Sequence, residues 1–394
     1  MARSAVTTGA AARRFHGWLD AVNSADPARV AAFFAGSGTA APSSPSHDLE
    51  HEMGFRRTGG LDLTETEADT GTVFTGLVRE RGRGHFTRVT VEVEPDEPHG
   101  IVRFDVDDVS APDGAAPRRM AEDEAVAAFA NRLTVAAADG SFSGAVLIER
   151  NGETVLSGAR GLRDRETNAP NTTGTADVPG PSAGRDEPRT VQDYVDLLGE
   201  PEPRSEPGTR WHYNNHGYNL LGLMIEQVTG RTYEEYVAEH VFKPAGMRDT
   251  SFTAAHPRLD HAIAYTRPSP GAGYEARREA PLYIGAPAGG AYSTTADIGR
   301  FAGALLGYRL LDSAHTALVT GGKVPVRGGH YGYGFVDHTL DGTRWFGHSG
   351  GTGGINGDLR IYPESGYVIV VLANLDPPAA TAMTAFAGDR LPAG

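Results

Sequence analysis

Everything about the larger part of this chain turns on Phe142-Ser143-Gly144-Ala145-Val146-Leu147-Ile148-Glu149-Arg150-Asn151-Gly152-Glu153. An apolar run of strand length ends in Asn-Gly, the dipeptide suited to the two left-handed positions of a tight hairpin turn. Glu153 to Gly161 reads as the returning strand. Towards the other end, Trp345 to Gly350, Gly357 to Tyr362 and Tyr367 to Ala373 are three more strands, the last two joined at Pro363-Glu364-Ser365-Gly366. Helices lie between the strand groups. Thr190-x-x-Asp193 caps one; Leu221, Met224, Ile225 and Val228 stripe a second that stops at Gly230; Thr294-x-x-Asp297 caps a third, with Ile298, Phe301 and Leu305 on its buried face. A sheet built from both ends of a segment, with helices inserted between, is an α+β plan.

Upstream, Val126, Phe129 and Leu133 mark a helix that comes after a linker-like stretch, Ala111 to Pro117. Before the linker the pattern is different. Phe15, Trp18, Leu19 and Val22 recur at helical spacing, and Asp26-Pro27 starts a second helix that presents Val30, Phe33 and Phe34. The period then changes to two: Val89, Val91 and Val93, and again Val102, Phe104 and Val106, alternate with polar residues around a turn at Pro95 to Gly100. Two helices leading into an antiparallel sheet resemble the NTF2-like (SnoaL-like) cone fold over Ala11 to Ser110. That resemblance implies a domain at 1–112 and a second domain at 113–394.

Composition narrows the function. The chain has 394 residues, 39% hydrophobic and 22% charged, with a net charge of −14. Such an acidic surface repels phosphate and argues against nucleic acid as a partner. With no cysteine, disulfides, thiolate nucleophiles and Cys-type zinc sites are excluded. Met1 to Arg14 lacks the continuous apolar stretch of a signal peptide, and the longest apolar strand, Tyr367 to Leu372, is too short to span a bilayer. A cytoplasmic protein with no membrane partner is the expectation. His47-Asp48-Leu49-Glu50-His51 matches H-x-x-E-H, which on a helix could hold zinc. A short polar helix with both histidines exposed is the simpler reading, no third ligand is identifiable, and neither metal nor cofactor is expected. In the same module His16, Asp20 and His85 are acid–base candidates of equal rank, and a structural or docking role is the simpler expectation.

The motifs of the second half are more specific in combination. Phe142 to Val146 with its Asn-Gly hairpin, Pro207 to Asn215, Lys243-Pro244-Ala245-Gly246-Met247, Ala288 to Thr294 and Gly347-His348-Ser349-Gly350-Gly351 come in one order. In that order they resemble the β-lactamase-related serine hydrolase family, which includes class C β-lactamases, D-alanyl-D-alanine carboxypeptidases and related esterases. The resemblance implies a β-lactamase/transpeptidase-like antiparallel sheet and an ancestral acyl transfer to or from an amide or ester. It also implies roles. The Tyr213 phenol would do acid–base work with a lowered pKa, and Asn215 would hold a substrate amide or the family's lysine. His348 would stand over the substrate, and the Gly351 N–H would be half of an oxyanion hole. Ser349, Gly350 and Ser293 would line the substrate.

One part of that machinery is absent. The family's nucleophile is a serine activated by a lysine in Ser-x-x-Lys. This chain has two lysines, Lys243 and Lys323, and neither lies three residues after a serine. Asn168-Ala169-Pro170-Asn171-Thr172 resembles the approach to the nucleophile helix, while Thr173-Gly174-Thr175-Ala176-Asp177 resembles a segment well beyond that helix. The helical region is therefore expected to be reduced, with a break between Thr172 and Thr173. Asn171 to Arg189 reads as loop, and Ser182-Ala183-Gly184-Arg185 is a poor substitute because arginine stays protonated. Three readings are open: a small-molecule binder in the old cleft, a non-hydrolytic enzyme (cyclase, isomerase or lyase) using Tyr213 and His348 or the N-terminal pocket, and a defective copy of a serine hydrolase. Self-association stays open too, since losing a helix exposes the apolar surface it covered.

Overall fold

A computed structural model describes residues 9–36, 58–176, 190–196, 205–206, 208–209, 211–252, 260–267, 273–277, 286–326, 328–340 and 342–394. The chain divides into two units, Met1–Ala116 and Pro117–Gly394.

In the first unit, helices α1 (Ala10–Asn23) and α2 (Pro27–Ala35) accompany four strands, β1 (Leu61–Asp69), β2 (Val73–Glu80), β3 (Phe86–Val93) and β4 (Ile101–Val109). The strands form an antiparallel meander in sequence order. The helical stripe predicts the packing: Phe15, Trp18 and Val22 are buried with Val78, Val89 and Val91. The Asp26 carboxylate accepts from the Ala28 N–H at 2.9 Å and so caps α2. Two breaks in register between β1 and β2 bend that edge of the sheet.

The second unit opens with α3 (Glu122–Ala138) and the hairpin β5 (Gly144–Arg150) and β6 (Glu153–Arg160). Asn151 and Gly152 adopt φ of 51° and 83°, the paired left-handed conformation that the dipeptide favours. Helices α4 (Val191–Asp196), α5 (Asn215–Thr229), α6 (Thr295–Leu306) and α7 (Ser313–Thr320) come next. Then come β7 (Val324–Val326), β8 (Gly329–Tyr331), β9 (Val336–Leu340), β10 (Thr343–Thr352), β11 (Ile355–Tyr362), β12 (Tyr367–Ala373) and finally α8 (Ala379–Gly388). The sheet has eight strands in the order β7-β8-β9-β10-β11-β12-β5-β6. Strand β12 pairs antiparallel with β5, Ile369 opposite Ile148, so the two ends of the unit meet inside the sheet, one strand from its β6 edge.

Alternation along these buried strands gives the sheet two apolar faces. Val146, Ile148, Ile369 and Val371 pack with Phe129 and Leu133 of α3 and Met383 of α8. Leu147, Phe346, Leu359, Val368 and Val370 pack with Ala302 and Leu305 of α6. The predicted caps are present: Thr190 and Asp193 exchange bonds of 2.9 and 3.1 Å, and the Thr294 hydroxyl accepts from the Asp297 N–H at 3.2 Å.

Two features depart from simple burial. Helix α5 forms and ends at Gly230 in the left-handed conformation, φ 68°. Its apolar stripe faces outward: Leu220, Leu221, Met224 and Val228 are 47%, 53%, 60% and 86% exposed. The break predicted after Thr172 lies in a tight turn, where the Thr172 N–H donates to Thr175 Oγ1 at 2.8 Å. The chain passes at once into a two-residue strand, Thr175–Ala176, that pairs in parallel with Asp260–His261. Ser182 to Arg185 and the H-x-x-E-H motif at 47–51 lie outside the described residues.

Candidate functional site

Tyr213 sits in the extended segment that enters α5. Its neighbour Asn214 is the N-cap, accepting from the N–H groups of His216 and Gly217 at 2.9 and 3.3 Å. Capping fixes the angle at which the chain leaves the helix, and so fixes the base of Tyr213. Asn215 is the first helical residue and is exposed. His348 comes from the sheet, on β10, paired with Leu359 of β11. Gly347 beside it is obligatory, because a Cβ there would stand 1.9 Å from the Leu359 carbonyl oxygen.

The structure brings the rings of Tyr213 and His348 together, with centroids 6.5 Å apart and planes 29° from parallel. Two residues outside the predicted set complete the cluster. Tyr331, at the end of β8, sets its ring across both, 6.3 Å from Tyr213 and 6.0 Å from His348, at 83° to each. Its hydroxyl lies 3.2 Å from His348 Nε2. Trp211 packs 5.8 Å from Tyr331 and 6.4 Å from Tyr213. Burial pushes the Tyr331 phenol well above its ordinary pKa, with a hydrogen bond to Tyr218 of α5 adding to the shift. A phenol so placed stays protonated at neutral pH and presents a hydroxyl, not a phenolate, to His348.

The remaining predicted residues are placed differently. Ser349 pairs with Asp358, and alternation along β10 turns its side chain to the face opposite His348. Gly350 gives its carbonyl to Asn356 Nδ2 at 2.8 Å, while a Cβ on Gly351 would meet Pro377 Cγ at 2.6 Å. Ser293 is buried, and its hydroxyl engages Thr250 Oγ1 at 2.9 Å. Thr250 in turn donates to the buried carboxylate of Asp297 at 2.7 Å. Ser293 thus serves the seam between α6 and the segment around Thr250. Tyr292 beside it is pushed up to about 12 by burial and stays neutral.

A second polar cluster surrounds the turn after β6. Asn374 is fully buried and donates to the carbonyls of Leu162 and Ile263 at 3.0 and 2.8 Å. Asn171 donates to Ser143 Oγ at 2.9 Å and to the Arg160 carbonyl at 3.2 Å. Together with Gly144, Ala145, Thr175, Ala262 and Leu372 these asparagines line a shallow depression at the end of β5. In the first unit His16 packs edge-on to Phe15 and against Phe74, and Asp20 is exposed. No group of three metal-ligating side chains occurs among the described residues. No helix among them is long and apolar enough to cross a membrane.

Comparison with known proteins agrees with this architecture. The β-lactamase family profile matches residues 172–392, more than half of the chain. Penicillin-binding protein 4 of Amycolatopsis lactamdurans is 28% identical over 204 residues, covering 46% of this chain and 51% of that protein. Protein flp of Staphylococcus aureus (strain MW2) is 37% identical over 70 residues, covering 18% and 14%. The chain therefore spans about half or less of these relatives. A penicillin-binding protein from Bacillus halodurans superposes with a TM-score of 0.58 at 24% identity, over 66% of this chain and 99% of that one. The D-amino acid amidase of Ochrobactrum anthropi SV3 superposes at 0.57 and 18% identity, over 68% and 97%.

Proposed function

The chain belongs to the β-lactamase family, and its structural neighbours include a penicillin-binding protein, an amidase and EstCE1, a hydrolase with promiscuous acyltransferase activity. From that premise we propose that it binds a small molecule in the cleft beside Tyr213, Tyr331 and His348 without forming an acyl-enzyme. The observation that carries this reading is the turn at Thr172–Thr175. The Thr172 N–H and Thr175 Oγ1 are bonded across it, at the point where the sequence lacks Ser-x-x-Lys. The outward stripe of α5 supports the same reading, because it is apolar surface that no element among the described residues covers.

Treatment of the full chain with a fluorophosphonate and with labelled penicillin tests the reading. No adduct is expected; stable labelling at one serine overturns it. A second reading, acid–base catalysis without an acyl intermediate, is favoured by the bond between Tyr331 and His348. It predicts that Tyr213→Phe abolishes turnover of a substrate that still binds.

For the first unit we infer an NTF2-like cone, supported by the two helices packed on a four-stranded meander with a bent edge. A docking or scaffolding role suits it best. The buried Glu80 is already paired with Arg83 by two bonds of 2.7 and 2.8 Å.

A further inference from the structure

Strand β6 forms one edge of the eight-stranded sheet, and among the described residues no strand pairs with its free side. An open edge offers a row of backbone N–H and C=O groups to another strand, and proteins usually protect it with charges, proline or a covering element. The middle of β6, Val155 to Ala159, holds neither charge nor proline. Thr154, Ser157 and Arg160 are exposed, and a Cβ added at Gly158 would meet nothing within 4 Å. The opposite edge, β7, has only three residues and offers far less.

The charges of β6 sit at its two ends. Glu153 opens the strand and Arg160 closes it, and both are exposed. Neither has an ion pair among the described residues. Arg150, which faces Glu153 across the hairpin, bonds Glu122 at 3.2 Å instead, and Arg160 Nη1 donates to the Ala159 carbonyl at 2.8 Å. A break in register after Ile148 absorbs the one residue by which β6 exceeds β5, so Glu153 and Arg160 stand opposite the two ends of β5 and Ser157 opposite its middle residue, Leu147. The strand is therefore self-complementary in one sense only. Antiparallel to itself about Ser157 it sets Glu153 against Arg160; parallel to itself it sets like charge on like.

We propose that β6 is a docking edge for a second copy of this chain, the two strands pairing antiparallel about a two-fold axis at Ser157. Each Glu153 then faces the Arg160 of the other copy, and two eight-stranded sheets become one. Such a pairing uses the same strand on both sides, so it closes at the dimer and removes the open edge. A foreign strand could take the same backbone bonds, but β6 itself carries the matching charges.

Sedimentation velocity of the full chain over a submillimolar concentration series tests this. Physiological ionic strength, with a Debye length of about 8 Å, damps the repulsion between two chains of net charge −14. The weight-average mass is expected to rise towards that of a dimer. Glu153→Arg sets like charges opposite each other at both ends and should weaken dimerisation about tenfold, as should Arg160→Glu. The chain with both changes regains the attraction and should return to within about threefold of the parent. Thermal midpoints report folding; should one single variant unfold, the other and the combined chain still decide. A chain that stays monomeric, single variants that dimerise like the parent, or a combined variant no better than the single ones would each overturn the proposal. So would a dimer lost only in Leu221→Gln with Val228→Lys, which assigns the contact to α5.

Discussion

The Tyr331 hydroxyl lies 3.2 Å from His348 Nε2, joining the end of one short strand to the middle of a long one two positions away in the sheet. Either group can supply the proton of this bond, according to the imidazole's tautomer. Tyr331→Phe removes the hydroxyl. The tautomer balance of His348 should shift, read by long-range nitrogen–proton correlation in a histidine-labelled sample. The stability lost should be about 1 kcal/mol, the ordinary net worth of one hydrogen bond.

Gly350 and Gly351 are adjacent and should respond in opposite ways. Nothing lies within 4 Å of a Cβ added at Gly350, whereas at Gly351 it meets Pro377 Cγ at 2.6 Å and the Ile355 carbonyl oxygen at 3.0 Å. Gly350→Ala should leave the unfolding midpoint in denaturant nearly unchanged. Gly351→Ala should lower stability by about 1–3 kcal/mol through overpacking.

Asn374 serves two backbone carbonyls from a fully buried position. Asn374→Ala leaves both without that donor and should cost about 3 kcal/mol by chemical denaturation. A loss below about 0.5 kcal/mol would mean that water replaces the amide.

The stripe on α5 should be replaceable without harm to the fold. Leu221→Gln with Val228→Lys alters side chains that are 53% and 86% exposed. The thermal midpoint should hold, since such surface changes fall within about 0.5 kcal/mol. Binding of a hydrophobic dye and the weight-average mass in ultracentrifugation should both fall.

Glu149 offers a pH test. Burial raises its pKa, with Arg300 opposing. The folded state then holds this proton more tightly than the unfolded chain does. Its contribution to stability is greatest below the unfolded pKa and declines as pH rises through the folded value. Glu149→Gln removes the dependence. The variant's midpoint relative to the parent should therefore rise between pH 4 and pH 7.5, and a flat difference would falsify the assignment.

Local chemistry is the legible part of the sequence. Asn151-Gly152 declares its turn because few other dipeptides tolerate φ of 51° and 83° in succession, and Thr294 and Asp297 declare a cap by spacing alone. Strand β1, Leu-Asp-Leu-Thr-Glu-Thr-Glu-Ala-Asp, does not announce itself: it is a sheet edge with most side chains in solvent, so burial imposes no apolar alternation. Strands β7 and β8 have three residues each, too few for a period to be read. Tyr331 is hidden from local pattern for a related reason. Its place beside His348 comes from strand order, which no short motif encodes. The stripe of α5 is legible as a period, but a period does not reveal whether a partner exists. Ser293 belongs to a recognisable motif, yet its hydroxyl holds a seam instead of lining the cleft.

The pairing of β12 with β5 has a kinetic consequence. Tyr367 bonds Glu122, 245 positions earlier in the chain, and the same strand joins β5 to the rest of the sheet. During synthesis, the hairpin of β5 and β6 must wait with one edge unpaired until Tyr367–Ala373 leaves the ribosome. Contacts of such sequence separation place this unit among slow folders. Its most vulnerable species is then the nascent chain, whose Val146 and Ile148 have a strand on one side only.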